Sequence, residues 1–503
     1  MSRLALPGRI HRTTALLVGA LFLAGVIVRV IVLRSTAAVL LADEAYTGIQ
    51  SFEILRGRIP IVLGGTSYTL PFESYVYAPF VAVFGSSIIS LKVLPAIWWL
   101  IASIVGWFVG RRLGGERVAW LTAAFLWLTP GALLLLSVTA YESYSSGMLV
   151  TLLACLLALR RLDRRDEDAT DPSLREAAAF GALCGLAFWM HPMFLATTVP
   201  MVLVVLVVHR RQVRTLVAVI GGGIVGCSPL LLWNAVNGWP SLEAPIEVPG
   251  TYTGRLQGFF RELLPRGLGL RDQFMIWHPN RLIGLLLYGV FLALVVVGVV
   301  TMVRRSNASS RWLVPAVLLG VFPIMAVFQN LAYTIDGRYA VISFPFLVIA
   351  VAVGIDRLAA IRPNITVAVV AVAIPLWVLA FTLPTIRPLW SATGDPNAYL
   401  GEITTMLDDA GIEHIYGSYW LALPVDFAGD RALQSGVLYP LPIRFPIRQR
   451  AVEAAPHDRI AFVFFAGEDD PSRLFLPVEE YERRVVGPAV VYLPVAALGT
   501  TSG

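Results

Sequence analysis

Asp43 and Glu44 stand side by side in LLADEAYTGIQ, about ten residues beyond the apolar run 13–33. A carboxylate at the edge of a membrane segment is costly unless it is solvated or paired, so such a pair is a candidate for chemistry at the membrane face. A competing reading is an exposed pair at the start of a short interfacial helix, since Asp and Glu suit helix N-termini. Further acids, arginines and aromatics recur at the ends of later apolar runs. In order these are Tyr46, Glu53, Tyr68, Glu73, Tyr75, Tyr77, Tyr141, Glu142, Tyr144, His191, Trp239, Glu243, Glu247, Tyr252, Arg255, Arg271, His278, Asp336 and Arg338. On one face, such a set fits a site for a polar substrate with an anionic leaving group. Tyr and Trp also belong at any membrane interface, so the aromatics alone decide nothing.

The elements that would position these residues are membrane helices. The chain has 503 residues, 57% of them hydrophobic and 14% charged, with mean hydropathy +0.73. That is too apolar for a soluble fold of this size. The first apolar run is longer than a signal-peptide core and lacks a small-x-small cleavage site, so it is expected to remain. Cys155, Cys184 and Cys227 all lie inside apolar runs and form neither a disulfide framework nor a metal spacing. The net charge of +6 is dispersed between spans, which excludes a nucleic-acid surface. One lysine, Lys92, among many Arg and Ala residues points to a GC-rich bacterial genome and so to the plasma membrane.

Basic clusters set the topology through the positive-inside rule. Arg3, Arg9 and Arg12 place the N-terminus in the cytoplasm. Arg111, Arg112 and Arg117 mark further inner loops, as do RRLDRRDED, HRRQVR, Arg304, Arg305, Arg311, Arg357 and Arg362. Between them lie spans near 13–33, 87–109, 118–137, 146–159, 177–190, 194–208, 215–233, 282–303, 312–328, 339–354 and 365–385. The expected fold is mainly α: a polytopic bundle of about eleven spans, thirteen at the upper count, with residues 76–84 as a partial helix. The division is a membrane domain 1–385, whose first outer loop is 34–86, and a small α/β outer domain 386–503. Within the latter, GDPNAYLGEITTMLDDAG reads as an amphipathic helix with Leu400, Ile403, Met406 and Leu407 on one side. HIYGSYW, RIAFVFFAG and the run 489–495 read as strands, and PVEEYERR as helical or extended. GGG at 221–223 suits close helix packing.

The first loop, LADEAYTGIQSFEILRGRIPIVLGGTSYTLPFESYVYAPFVAVFGSS, resembles that of the type C (GT-C) glycosyltransferase superfamily. It is similar in particular to bacterial relatives of the protein O-mannosyltransferases and aminoarabinose transferases. GLAFWMHPMFLATTVP, GCSPLLLWNAVNGWPSLEAP, DGRYAVISFPFLVIA and YGSYWLALPVDF agree with it in order, so the resemblance spans nearly the whole chain. It implies transfer of a single sugar from a polyprenyl-phosphate donor to an acceptor at the outer face of the plasma membrane. The acceptor is a glycan, a glycolipid or a protein hydroxyl. The family's acidic pair falls on Asp43 and Glu44, one of which is implied as general base; such catalysis contributes roughly 10²–10⁴-fold. The phosphate leaving group calls for cations, with Arg338 first and Arg255 and Arg271 behind it. Glu73, Glu142, Tyr46, Tyr75, Tyr144, His191 and His278 are the acceptor- or substrate-binding candidates. No residues show metal-ligand spacing, and no cofactor is firmly implied; a divalent metal is used by some members of the superfamily.

Two other classes compete. A multispan transporter or flippase would place its charges mid-span, often with an internal repeat, whereas these acids sit at span ends. An oligosaccharide ligase would share the lipid donor, but its long outer loop comes late in the chain. A single carboxylate base with direct displacement favours inversion.

Overall fold

The computed structural model describes residues 12–166, 174–243, 250–272, 274–305, 308–327, 336–360, 366–392, 394–438, 443–468 and 478–498. Arg3, Arg9, Glu247 and Arg362 lie outside these residues.

The membrane part is a bundle of apolar helices; among the described residues, seven are long and apolar enough to cross a bilayer. The first is α1 (Arg12–Leu33). Two shorter helices follow, α2 (Ala42–Leu55) and α3 (Phe72–Phe84). Helix α4 (Ile88–Trp127) is two helices joined at Gly115, whose φ of 80° suits a residue without a Cβ. The halves fold back on each other: Gly106 lies against Leu126, and Gly110 against Thr122. The second half stops at Trp127, and the chain resumes as α5 (Gly131–Leu136). The expected span 118–137 is therefore a broken one.

The bundle continues with α6 (Tyr144–Asp166), α7 (Leu174–Met190), α8 (Leu195–Val208) and α9 (Val213–Asn237). Helices α7 and α9 approach backbone to backbone. A Cβ at Gly181 or Gly222 would meet a carbonyl oxygen of the other helix at 2.0 or 2.1 Å. This is small-residue packing in place of a hydrophobic driving force. Short segments α10 (Tyr252–Gly258) and α11 (Leu264–Gly267) precede α12 (Arg281–Arg305) and α13 (Leu313–Val327). A 3₁₀ turn, Gly337–Ile342, leads into α14 (Phe344–Ala359). Last come α15 (Thr366–Trp377) and, across a π-turn, α16 (Leu383–Ser391), which runs past residue 385.

Beyond α16 the chain forms a five-stranded sheet in the order β2-β1-β3-β5-β4. The strands are β1 (His414–Gly417), β2 (Gln434–Val437), β3 (Ile460–Phe465), β4 (Tyr481–Val486) and β5 (Ala489–Pro494). β1 runs parallel to β2 and β3, while β5 is antiparallel to β3 and β4. α17 (Ala398–Asp409), α18 (Tyr419–Ala428) and α19 (Pro446–Ala454) pack around it. The strand expected over HIYGSYW ends at Gly417, and its last two residues open α18 instead.

This unit shares one core with the first outer loop. Ile49 and Phe52 of α2, Tyr77 of α3 and Leu91 of α4 join Ile403, Leu421, Val425 and Phe427 in a continuous buried cluster. A Cβ at Gly48 would fall 2.2 Å from the Phe427 ring, so α2 and α18 meet where the sequence leaves room. A buried ion network pins the contact. Arg448 donates to both Asp426 oxygens at 2.8 and 2.7 Å and to Glu53 at 3.1 Å. Arg56 and Arg58 also bind Glu53.

Candidate functional site

Neighbours on a helix point about 100° apart, so Asp43 and Glu44 part company at once. Glu44 turns inward and is completely buried. Its Oε2 lies 2.6 Å from Lys92 Nζ and accepts the Leu41 N–H at 3.2 Å, while Oε1 accepts from Ala140 N at 3.0 Å. The one lysine of the chain is consumed by this pair. Asp43 turns outward with a side chain 31% exposed. Its Oδ1 accepts the Tyr419 hydroxyl at 2.7 Å and lies 4.0 Å from Arg444 Nη2. Among the described residues no group hydrogen-bonds Oδ2.

A second wall is built on Arg338. Asp336 caps the 3₁₀ turn by accepting from Arg338 N at 3.0 Å and pairs with Arg338 Nε at 2.7 Å. The guanidinium lies over the rings of Tyr141, Tyr144 and Tyr339, at 4.5, 5.5 and 5.5 Å. His191 stands against Tyr144 and Tyr68 at ring separations of 5.8 and 5.7 Å. Its Nδ1 accepts from Met193 N at 3.2 Å, which puts the ring proton on Nε2. Burial, then the charge of Arg338, pushes the imidazole down to about 4, so it is neutral.

Tyr141 relates the two groups, since the Arg338 guanidinium lies over its ring. Tyr141 is held above the usual phenol range by burial, and it lies within electrostatic reach of both Arg338 and Asp43. Tyr68 is likewise raised by burial and feels the charge of Arg444. The result is a tyrosine-lined site with a carboxylate on one side and a guanidinium on the other. Such a site can accept a proton from a hydroxyl while holding an anion a short distance away.

Other sequence candidates stand elsewhere. Glu73 and Glu142 are buried in a reciprocal clasp. Glu142 accepts from the N–H groups of Glu73 and Ser74 at the start of α3, at 3.0 and 3.2 Å, and from the Ser74 hydroxyl. Glu73 accepts from Ser143 N at 2.5 Å and from the Ser146 hydroxyl at the start of α6. Burial raises both, and the charge of Glu73 raises Glu142 further, well above the carboxylate range. Tyr46 is buried, donates to Gln50 and accepts from Gly64 N, both at 2.8 Å, and stacks on Phe445. Tyr75 donates to Pro60 O. Arg255 binds the carbonyls of Ala326 and Gly250, and Arg271 those of Met275 and Arg261. His278 pairs with Asp272 at 3.1 Å. Among the described residues no group of three or more His, Cys, Asp or Glu side chains gathers to hold a metal.

Tyr419 and Arg444 were not among the sequence candidates. Tyr419 lies in the segment YGSYWLALPVDF, which carries a family-like order but no chemical signal; Arg444, in PIRFPIR, carries none.

No family model and no curated protein matches the chain. Solved structures do. ArnT (aminoarabinose transferase) from Cupriavidus metallidurans in the apo state superposes with TM-score 0.63 at 16% identity, over 96% of this chain and 99% of that one. The same protein bound to undecaprenyl phosphate gives 0.62 at 14% identity, over 97% and 99%. The oligosaccharyltransferase AglB from Archaeoglobus fulgidus, in complex with an inhibitory peptide and a dolichol-phosphate, gives 0.50 at 13% identity, over 96% and 75%. The chain has the fold of the type C glycosyltransferases over nearly its whole length.

Proposed function

We propose that this protein transfers a sugar from a polyprenyl-phosphate donor to an acceptor hydroxyl at the outer face of the plasma membrane, with Asp43 as general base. The N-terminus is then cytoplasmic, and α2, α3 and the sheet unit lie outside. The observation that carries the reading is an Asp43 carboxylate with one oxygen free that bears electrostatically on Tyr141, while the Arg338 guanidinium lies over the same ring.

In the reaction, the acceptor oxygen attacks the anomeric carbon while its proton passes to Asp43 Oδ2. The bond from that carbon to the phosphate oxygen breaks, and the phosphate leaves with the electron pair. A phosphate needs no strong protonation to leave, so the protein's task is to neutralise developing charge. Arg338 meets it, held in place by Asp336 and by three tyrosine rings. Attack opposite the leaving group inverts the anomeric centre. Glu44 keeps α2 in place beside Asp43, and neutral His191 adds no charge that would compete with Arg338 for the phosphate. The lipid phosphates bound by the ArnT and AglB structures support this donor class.

The experiment is reconstitution of the wild-type chain in nanodiscs with polyprenyl-phosphate sugars labelled in the sugar, read by label transferred to acceptor and by polyprenyl phosphate released. Release coupled to transfer is the expected result. Movement of intact lipid between leaflets with no bond cleavage would make the protein a flippase instead.

A further inference from the structure

Three groups from opposite ends of the chain meet at one atom. Asp43 Oδ1 accepts the hydroxyl of Tyr419, 376 positions away, and Arg444 Nη2 lies 4.0 Å from the same oxygen. Tyr419 is the first residue of α18, and Arg444 stands two residues before α19. Both come from the sheet unit, and neither belongs to the membrane bundle that carries Arg338.

Each group is held by more than its contact with Asp43. Tyr419 is only 3% exposed, and its helix is clamped to α2 by the Gly48–Phe427 approach and by the Arg448 network. Arg444 donates from Nη1 to Gly64 O at 3.0 Å, and its guanidinium lies over Tyr46 and Tyr419 at 5.7 and 5.8 Å. The neighbouring Phe445 stacks on Tyr46 at 4.7 Å. A carboxylate at the start of a helix has a free χ1 and χ2 unless something fixes them. Here one oxygen is fixed from outside, and the other is left to the substrate.

We infer that Tyr419 and Arg444 are positioning residues through which the C-terminal sheet unit aims Asp43 Oδ2 at the acceptor hydroxyl. The inference rests on Asp43 being the base. Binding energy at this point goes into orientation, where a misplacement of 1 Å costs on the order of a hundredfold in rate. It also gives the sheet unit a role in the chemistry: the site is incomplete without it.

The test uses the full-length protein. Tyr419→Phe deletes one hydroxyl and keeps the buried ring, so the unfolding midpoint and polyprenyl-phosphate binding should match wild type. The value of kcat should fall about tenfold to a hundredfold with little change in donor KM. Arg444→Ala should behave alike, and Arg444→Lys should restore part of kcat, because a point charge can still face Asp43 but cannot hold Gly64 in the same way. In Asp43→Asn, adding Tyr419→Phe should cost nothing further, since the hydroxyl acts through the carboxylate. Wild-type kcat in Tyr419→Phe, with Asp43→Asn inactive, overturns this inference and leaves the general base standing. An active Asp43→Asn removes the general base itself, and this inference with it.

Discussion

Lys92→Met isolates the structural half of the acidic pair. In the folded protein Lys92 Nζ lies 2.6 Å from Glu44 Oε2, with the side chains 4% and 0% exposed. Two ions at that depth give up almost all their hydration, and their mutual attraction offsets the loss only while both are present. Removing the ammonium leaves a buried carboxylate whose remaining donors are the N–H groups of Leu41 and Ala140. Breaking such a pair from one side costs about 3–5 kcal/mol. Because two N–H donors remain, the lower end of the range applies. Glu44→Gln should cost a similar amount, leaving the buried Lys92 charge with only neutral acceptors, the new amide oxygen and the Val39 carbonyl at 3.1 Å. The double variant carries no buried charge and should lie within about 1–2 kcal/mol of wild type, so the coupling energy should exceed about 2 kcal/mol. Equilibrium unfolding in mixed micelles, followed by tryptophan fluorescence, measures all four corners of the cycle. Additive single effects within about 0.5 kcal/mol would refute a buried pair at this site. Purified Glu44→Gln should retain turnover per folded molecule, in contrast to Asp43→Asn.

Arg338→Ala should weaken polyprenyl-phosphate binding by about 2–5 kcal/mol, and Arg338→Lys should recover only part, as read by direct binding in nanodiscs; unchanged affinity in both would leave Arg338 as the partner of Asp336 alone. The Glu73–Glu142 clasp should make stability fall with rising pH: carboxyls raised in the folded state contribute stability that is fully present below their unfolded range and lost as pH rises through the folded value. Midpoints measured upward from the ordinary carboxylate range should therefore fall less steeply in Glu142→Gln, whose amide can stand in for the protonated acid. Arg448→Ala leaves Asp426 and Glu53, 0% and 3% exposed, facing each other without their shared cation. It should destabilise the contact between α2 and α18 by about 3–5 kcal/mol, seen as faster proteolysis of the sheet unit.

Much of this was legible in the sequence, because long apolar runs and basic loops are strong signals. Asp43, Glu44 and Arg338 could be singled out as charges at the ends of apolar runs, and the order of family-like segments placed them in one architecture. Three features were not legible, each for a physical reason. The break at 128–130 carries a signal, Thr129-Pro130-Gly131, but a hydropathy window averages across it and so runs the span through. The segment 419–428 is buried almost throughout, which removes helical periodicity, and Pro424 argued against a helix. β2 is four residues with a glycine, too short and too weak a strand former to announce itself. The partition of the acidic pair hangs on Lys92, 48 positions away, and on Arg444, roughly 400 positions away; only tertiary structure brings them together. Glu73 and Glu142, which read as acceptor-binding candidates, are buried because Glu142 satisfies N–H groups at the start of α3 while Glu73 accepts from Ser143 N and Ser146 where α6 begins.

The most direct measurement is turnover by Asp43→Asn. The substitution keeps the shape of the side chain and its ability to accept from Tyr419, but it removes the capacity to take a proton. Transfer from a polyprenyl-phosphate sugar labelled in the sugar should fall by roughly 10²–10⁴-fold, with expression, unfolding midpoint and polyprenyl-phosphate binding close to wild type. Transfer at the wild-type rate would contradict the assignment of Asp43 as the base.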